Sequence, residues 1–504
     1  MLRRLVLTVA LLLSSLPQLV AAEAELVGSW HGELNLVVQK LRIGMKFNLN
    51  RDGTFRGVLD SIDQNAFGIP LTTIERAGKQ LRVEVESLGV VYTAQFSADG
   101  NQLAGTFKQN GIPLSLTLSR VDRYPSLNRP QEPRGPLPYD EEDVSYRSPL
   151  HDLTLAGTLT IPRSSRPLAA VLLITGSGSQ DRDESIAGHR PFLVIADALS
   201  RRGIAVLRVD DRGVGGSSAG ATPATSVDLA DDVLAGVKYL AARPEIDAAR
   251  IGLIGHSEGG LIAPMVAARS DQVSMIVMLA GPGVPGTQIL LTQGRLIGEA
   301  MKRPEWFLDW NQMVQRELFD AIAELPDPAA SREKIAGMID DWIARVPEQH
   351  AVTRDTLRTD LNRQLEMFNS PWFRYFLFHD PDPVLRRVPC PVLALFGERD
   401  LQVPAEENSA AVARALAAGR NRYATIATLD ELNHLFQTCE TGSPLEYSTI
   451  AETMNPAALE FMVDWVVQRS GSGQVRLAQR RRLRRRQARL PEAADETAGG
   501  GLPE

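Results

Sequence analysis

The chain has 504 residues, 44% of them hydrophobic and 23% charged, with a formal net charge of −7. That composition is globular, and the acidic balance excludes a nucleic-acid-binding body, which needs a basic face. Only two cysteines occur, Cys390 and Cys439, which excludes a disulfide scaffold and any paired-cysteine zinc or redox site. At roughly 100–200 residues per domain, the length predicts two to four domains.

Residues 1–22 read as a secretory signal peptide. Arg3 and Arg4 give a positive start, Leu5 to Leu13 an apolar run, and Val20-Ala21-Ala22 a small-residue cleavage site. The run is too short to span a bilayer, and none of about 18 apolar residues follows it, so no transmembrane segment is predicted. The expected location is periplasmic or secreted.

Residues 23–121 are predicted to be a small all-β, barrel-like domain. Apolar and polar residues alternate in Leu41-Arg42-Ile43, Met45 to Leu49, Leu81 to Val85 and Leu114 to Leu118, the period of half-buried strands. Asp52-Gly53 and Asp99-Gly100 fall between such runs and read as hairpin turns. Residues 122–149 carry Pro125, Pro130, Pro133, Pro136, Pro138 and Pro149 in a polar stretch, and read as a linker.

From residue 150 to 469 continuous apolar runs alternate with helical segments. The strands are predicted at Ala170–Thr175, Ile204–Val209, Ile251–Ile254, Met275–Leu279, Val392–Phe396 and near Tyr423–Thr428. Helices are predicted at Pro191–Arg202, Ser226–Ala242, Glu258–Ala268 and Ala405–Ala418. Such alternation predicts an α/β fold with a parallel sheet covered on both faces. The interval between Leu279 and Val392 is too long for a crossover, and residues 281–388 are read as an inserted helical cap. Residues 470–504 hold eight Arg against four acids and read as a disordered basic tail.

The chemistry is concentrated in Gly255-His256-Ser257-Glu258-Gly259-Gly260. A G-x-S-x-G string between a strand and a helix makes a nucleophile elbow, with the serine pushed above the sheet edge at a helix N-terminus. The bland alternative is a Gly-rich turn whose serine caps the helix. Ser257 needs a base and the base an orienting acid. His434 follows the last strand and is the expected base, with His379 as its competitor. Asp400 lies just past the strand Val392–Phe396 and is the expected acid, with Glu398 and Asp430 as alternatives; an N-cap role is its bland reading. The backbone N–H groups of Glu258 and Ser177 are the expected oxyanion hole, the second in the Gly-rich loop after the first central strand. No nucleotide-binding glycine pattern is completed in that loop or in Asp210 to Ser217. Arg212 and Asp211 are expected to brace the site loops by ion pairs.

On the strings GSGSQDRDE, DDRGVGGSS, GHSEGG, GERDLQVP and LNHLF, residues 150–469 resemble secreted alpha/beta-hydrolase carboxylesterases of the EstD type, among the serine-aminopeptidase-like hydrolases. Residues 26–121, opening with Gly28-Ser29-Trp30-His31-Gly32, resemble the lipocalin-like β-domain that precedes such hydrolases. The resemblance implies an alpha/beta-hydrolase fold, a triad of Ser257, Asp400 and His434, and hydrolysis of short acyl esters. The expected partner is a small-molecule ester, with no nucleic acid, no cofactor and no metal; the Arg-rich tail is expected to make weak contact with an anionic surface. Two other functions compete: a serine peptidase with the same triad, which would need a carboxylate such as Glu258 or one from the cap for a peptide terminus, and a non-catalytic carrier of a hydrophobic ligand.

Overall fold

The computed structural model describes residues 26–35, 40–50, 54–62, 66–109, 111–122, 129–148, 150 and 152–471. The expected signal peptide, the expected turn at Asp52-Gly53 and the chain from residue 472 lie outside the described residues. The chain forms two compact units. One holds the described residues up to Glu132 together with Ser185–Arg190 and Ser443–Thr453; the other holds Pro133–Glu184, Pro191–Gly442 and the residues from Met454.

The first unit is a nine-stranded antiparallel sheet of β1 (Gly28–Asn35), β2 (Lys40–Leu49), β3 (Phe55–Ser61), β4 (Ala66–Pro70), β5 (Thr73–Ala77), β6 (Gln80–Val85), β7 (Val90–Phe96), β8 (Gln102–Gln109) and β9 (Ile112–Val121). Its order, β4-β3-β2-β1-β9-β8-β7-β6-β5, brings the first and last strands together at the centre. The inward residues Trp30, Met45, Phe47, Val83, Tyr92 and Leu118 meet in one cluster, so the sheet curls around its own core. Among the described residues no ladder joins β4 to β5, and the barrel stays open there. The Asp99-Gly100 turn does link two strands: Gly100 has φ +71°, and Asp99 accepts from Ser97 Oγ at 2.5 Å and from the Asn101 amide at 3.2 Å.

In the same unit Arg129 is buried and donates to the carbonyls of Ala187, Gly188, Ser448 and Ile450 at 2.9–3.2 Å. Glu132 pairs with Arg190 at 2.6 Å. Residues 129–132 are therefore anchored.

The second unit is built on an eight-stranded sheet, and its first strand corrects the linker reading further. β10 (Tyr139–Ser148) pairs along its whole length with β11 (Leu153–Pro162). Tyr139, Val144, Tyr146 and Ser148 are buried, while Asp140, Glu141 and Asp143 are exposed. The exposed acids disguised a half-buried edge strand as a polar linker. They take up arginines: Asp143 meets Arg182 at 3.0 Å, Glu141 meets Arg208 at 3.2 Å and Glu142 meets Arg243 at 2.6 Å.

The chain continues through β12 (Leu168–Ile174), α1 (Pro191–Arg201), β13 (Ile204–Val209), α2 (Ser226–Ala242), β14 (Ile246–His256), α3 (Glu258–Ala267) and β15 (Val273–Leu279). A helical cap follows: α4 (Gly286–Ala300), α5 (Glu305–Glu324), α6 (Pro328–Ala344), α7 (Arg354–Phe368), α8 (Pro371–Phe378) and the short α9 (Asp382–Leu385). The sheet resumes with β16 (Val392–Gly397), α10 (Ala405–Ala418) and β17 (Ala424–Leu429), and α11 (Pro456–Gly471) closes the unit. The sheet order is β10-β11-β13-β12-β14-β15-β16-β17, with the strands from β12 onward parallel. One face is covered by α1 and α11 through Phe192, Leu199, Met462 and Val466; the other by α2, α3 and α10 through Val237, Leu240, Val266 and Val412. The cap has its own core around Trp310, Trp342 and Phe368.

Parallel register brings the site together. Ile174 lies beside Gly255, His256 beside Leu279, Leu279 beside Leu395, and Gly397 beside Leu429. The loops after β12, β14, β16 and β17 therefore leave from one edge, where ligands of such sheets bind.

Candidate active site

Ser257 sits between β14 and α3 with φ +52° and ψ −116°, a conformation that costs a non-glycine residue roughly 1–3 kcal/mol. Its amide is held by the Leu279 carbonyl at 2.8 Å, and its carbonyl by the Gly260 amide at 2.8 Å. The turn is tight enough that a Cβ on Gly259 would lie 2.1 Å from the Ile174 carbonyl oxygen. Ser257 makes no side-chain cap to α3, so the capping reading has no hydrogen bond behind it.

His434 and Asp400 come together from separate loops. His434 Nδ1 lies 2.8 Å from Asp400 Oδ2, and both side chains are buried. Asp400 Oδ1 accepts the amides of Gln402 and Val403 at 2.8 and 2.9 Å. One carboxylate oxygen thus holds the loop that leads into α10 while the other faces the imidazole. The loop of His434 has a brace of its own, absent from the sequence reading: Asn433, fully buried, accepts the amides of Leu435 and Gln437 at 3.0 Å each. A Cβ on Gly397 would lie 2.3 Å from the Leu432 carbonyl oxygen, so this loop can cross the end of β16 only over a glycine.

The competitors lie elsewhere. His379 hydrogen-bonds Tyr375 Oη at 2.8 Å at the end of α8. Glu398 accepts the Glu431 amide at 2.9 Å, and Asp430 is exposed.

His256 turns its ring toward the loop of His434: the two ring centroids are 4.7 Å apart. His256 Nδ1 is 3.0 Å from Glu184 Oε1, and Nε2 is 3.0 Å from the His434 carbonyl. Burial works against a charge on this ring, but the Glu184 carboxylate and the His434 carbonyl hold its pKa above the ordinary value.

The loop after β12 runs beside Ser257: a Cβ on Gly176 would lie 3.3 Å from Ser257 Cβ. The Gly176 amide is donated to Glu184 at 2.7 Å, which leaves that of Ser177 as the next along the loop. Asp211 holds the loop by accepting from Thr175 Oγ1 at 2.8 Å and the Gln180 amide at 2.9 Å. Its ties are these hydrogen bonds, where an ion pair was expected. Burial pushes its carboxyl up to about 7; the charges of Glu184 and Glu258 add to the rise, and its donors oppose it. Arg212 does form an ion pair, with Asp232, and Arg182 bridges to Asp210 at 2.7 Å.

Glu258 is buried, and its carboxylate accepts from Ser226 Oγ at 2.6 Å, from Trp372 Nε1 of the cap at 2.8 Å and from the Ser177 side chain. Burial raises its carboxyl despite these donors. Among the described residues no group of three His, Cys, Asp or Glu side chains is placed to hold a metal, and no helix is long and apolar enough to cross a membrane.

Comparison with known proteins agrees with this architecture. Residues 171–440 match the alpha/beta hydrolase family. Over 315 residues the chain is 28% identical to Esterase EstD of Thermotoga maritima, covering 62% of this chain and 64% of that one. It therefore spans just under two thirds of that relative. Among solved structures it is similar to an esterase of Pyrococcus furiosus, at 19% identity over 61% of this chain and 89% of that one, TM-score 0.37. It is also similar to an alpha/beta hydrolase of a Penicillium species, at 17% identity over 66% and 99%, TM-score 0.40.

Proposed function

The chain belongs to the alpha/beta hydrolase family, and from that premise we propose that it is a serine carboxylesterase with Ser257, His434 and Asp400 as its triad. The observation that carries the reading is the Asp400–His434 contact at 2.8 Å, set beside an elbow that holds Ser257 at positive φ.

Ser257 Oγ attacks the ester carbonyl while His434 Nε2 takes its proton. Asp400 holds Nδ1–H and stabilises the imidazolium that forms. The oxyanion is received by the amides of Glu258, at the open N-terminal end of α3, and Ser177. Collapse expels the alcohol with the proton from His434. Water, deprotonated by the same base, then releases the acid from Ser257.

Ester is favoured over peptide by Glu258. An aminopeptidase would need a carboxylate open to the substrate ammonium, whereas that of Glu258 is taken up by Ser226, Trp372 and Ser177. Short acyl chains and a location outside the cytoplasm belong to the same proposal, on the resemblance and the leader sequence. The test is a panel of p-nitrophenyl esters and aminoacyl p-nitroanilides. Turnover of the esters, short chains first, is expected, with loss of all turnover in Ser257→Ala. Preferred cleavage of the anilides would make the protein a peptidase, and full activity in the Ala variant would remove Ser257 from the role.

A further inference from the structure

We propose that Glu184 and His256 are positioning residues, a buried pair that locks the oxyanion loop and the base loop onto the Ser257 elbow. The proposal rests on the triad reading above and goes beyond it, since neither residue is in the triad or the oxyanion hole.

The two partners of His256 are a carboxylate oxygen and a carbonyl oxygen, both acceptors. Both ring nitrogens therefore carry hydrogens, and the ring is the cationic partner of Glu184. Glu184 Oε1 also accepts the Gly176 amide at 2.7 Å. One pair thus ties three loops. Glu184 and Gly176 belong to the loop after β12, His256 directly precedes Ser257, and the carbonyl of His434 belongs to the loop after β17. His434 is held at both ends, its ring by Asp400 and its backbone by His256.

The pair shares its pocket with Phe192, Leu279, Leu435 and Phe436, apolar side chains that offer neither member another hydrogen-bond partner. Glu184 is moreover kept at φ +52°, a strained conformation that persists only where the surroundings over-determine it. Loss of its carboxylate would orphan the Gly176 amide and the His256 Nδ1–H and free the loop beside Ser257. Misplacement of reacting groups by about 1 Å costs on the order of 100-fold in rate.

The test compares Glu184→Ala with Glu184→Gln, using p-nitrophenyl acetate and a fluorophosphonate. Glutamine can put its side-chain oxygen where Glu184 Oε1 stands and accept both the Gly176 amide and His256 Nδ1–H, keeping the ties between the loops and removing only the charge. E184A is expected to lose about 10- to 100-fold in kcat with KM within about threefold, and labelling of Ser257 should slow in proportion. E184Q should recover to within about fivefold of the parent. His256→Gln, which can serve only one of the two acceptors, should repeat the kcat loss and carries the test if E184A does not fold. A folded E184A or H256Q with the parent's kcat would overturn the proposal, as would an E184Q no better than E184A. Failure of the parent protein to label at Ser257 would overturn the triad reading as well; a labelled parent with unaffected variants overturns this inference alone.

Discussion

At the scale of single residues, single carboxylates tie separate loops together. Asp400 divides its oxygens between two loop amides and one imidazole. In Asp400→Asn the side-chain oxygen will stay on the amides of Gln402 and Val403, so the NH₂ group must face His434. That selects the wrong tautomer, and kcat should fall on the order of 10⁴-fold while KM and the thermal midpoint stay near those of the parent. Steady-state kinetics and a melting curve check both halves. Asp211 gives a pH signature. Its folded-state pKa of about 7 lies above the ordinary carboxyl value of about 3.9, so between those pH values the folded state keeps a proton that the unfolded state has released. Stability from this group therefore falls as pH rises from about 4 to 7 and levels off above. Asp211→Asn has no proton to release and can still meet Thr175 and Gln180. Relative to it, the parent should lose on the order of 2 kcal/mol between pH 5 and pH 8, read from urea midpoints. An equal shift in both proteins would mean that Asp211 is not the titrating group.

At the scale of elements, motifs and periodicity made much of the hydrolase unit readable. The span Ser226–Ala242 emerges as α2 and Ala405–Ala418 as α10, because a Thr225 capping box and Pro404 mark their starts. Ser257, Asp400 and His434 were legible because each directly follows a strand or lies in the loop beyond one. Glu184 was not, since its role depends on approach to His256, 72 positions away in the chain. Within the cap, Trp310, Val314, Leu318 and Ile322 of α5 repeat every fourth residue, but aromatic and charged residues around them blur the stripe, so the sequence shows a helical cap without the bounds of this helix. β10 was missed because its acids pair with arginines that only the tertiary structure supplies. That strand is a test in itself. A chain truncated to begin at Leu150 would bare the whole edge of β11 and strand Arg182, Arg208 and Arg243 without those acids. It should aggregate on size-exclusion chromatography, because an unpaired long edge templates further pairing. A monomeric, fully active product would show that β10 is dispensable.

At the scale of the whole molecule, charge is segregated between an acidic chain and a tail with eight Arg against four acids. The tail lies outside the hydrolase-family match at 171–440; since α11 takes in Ser470 and Gly471, which the sequence reading gave to the tail, a chain ending at Gly471 should keep kcat/KM on a small soluble ester within about twofold. It should lose salt-sensitive binding to anionic vesicles, since basic residues gain about 1 kcal/mol each near such a surface. Equal vesicle binding with and without the tail would leave the arginines as a solvated run.

The proposed role of Ser257 as nucleophile, with His434 and Asp400 beside it, is read out by mass spectrometry of the protein after brief exposure to a fluorophosphonate, with peptide mapping of the adduct. A single adduct on Ser257, formed by the parent and strongly slowed in His434→Ala, is the result expected. An adduct on another residue, or labelling of Ser257 at an undiminished rate without His434, would contradict it.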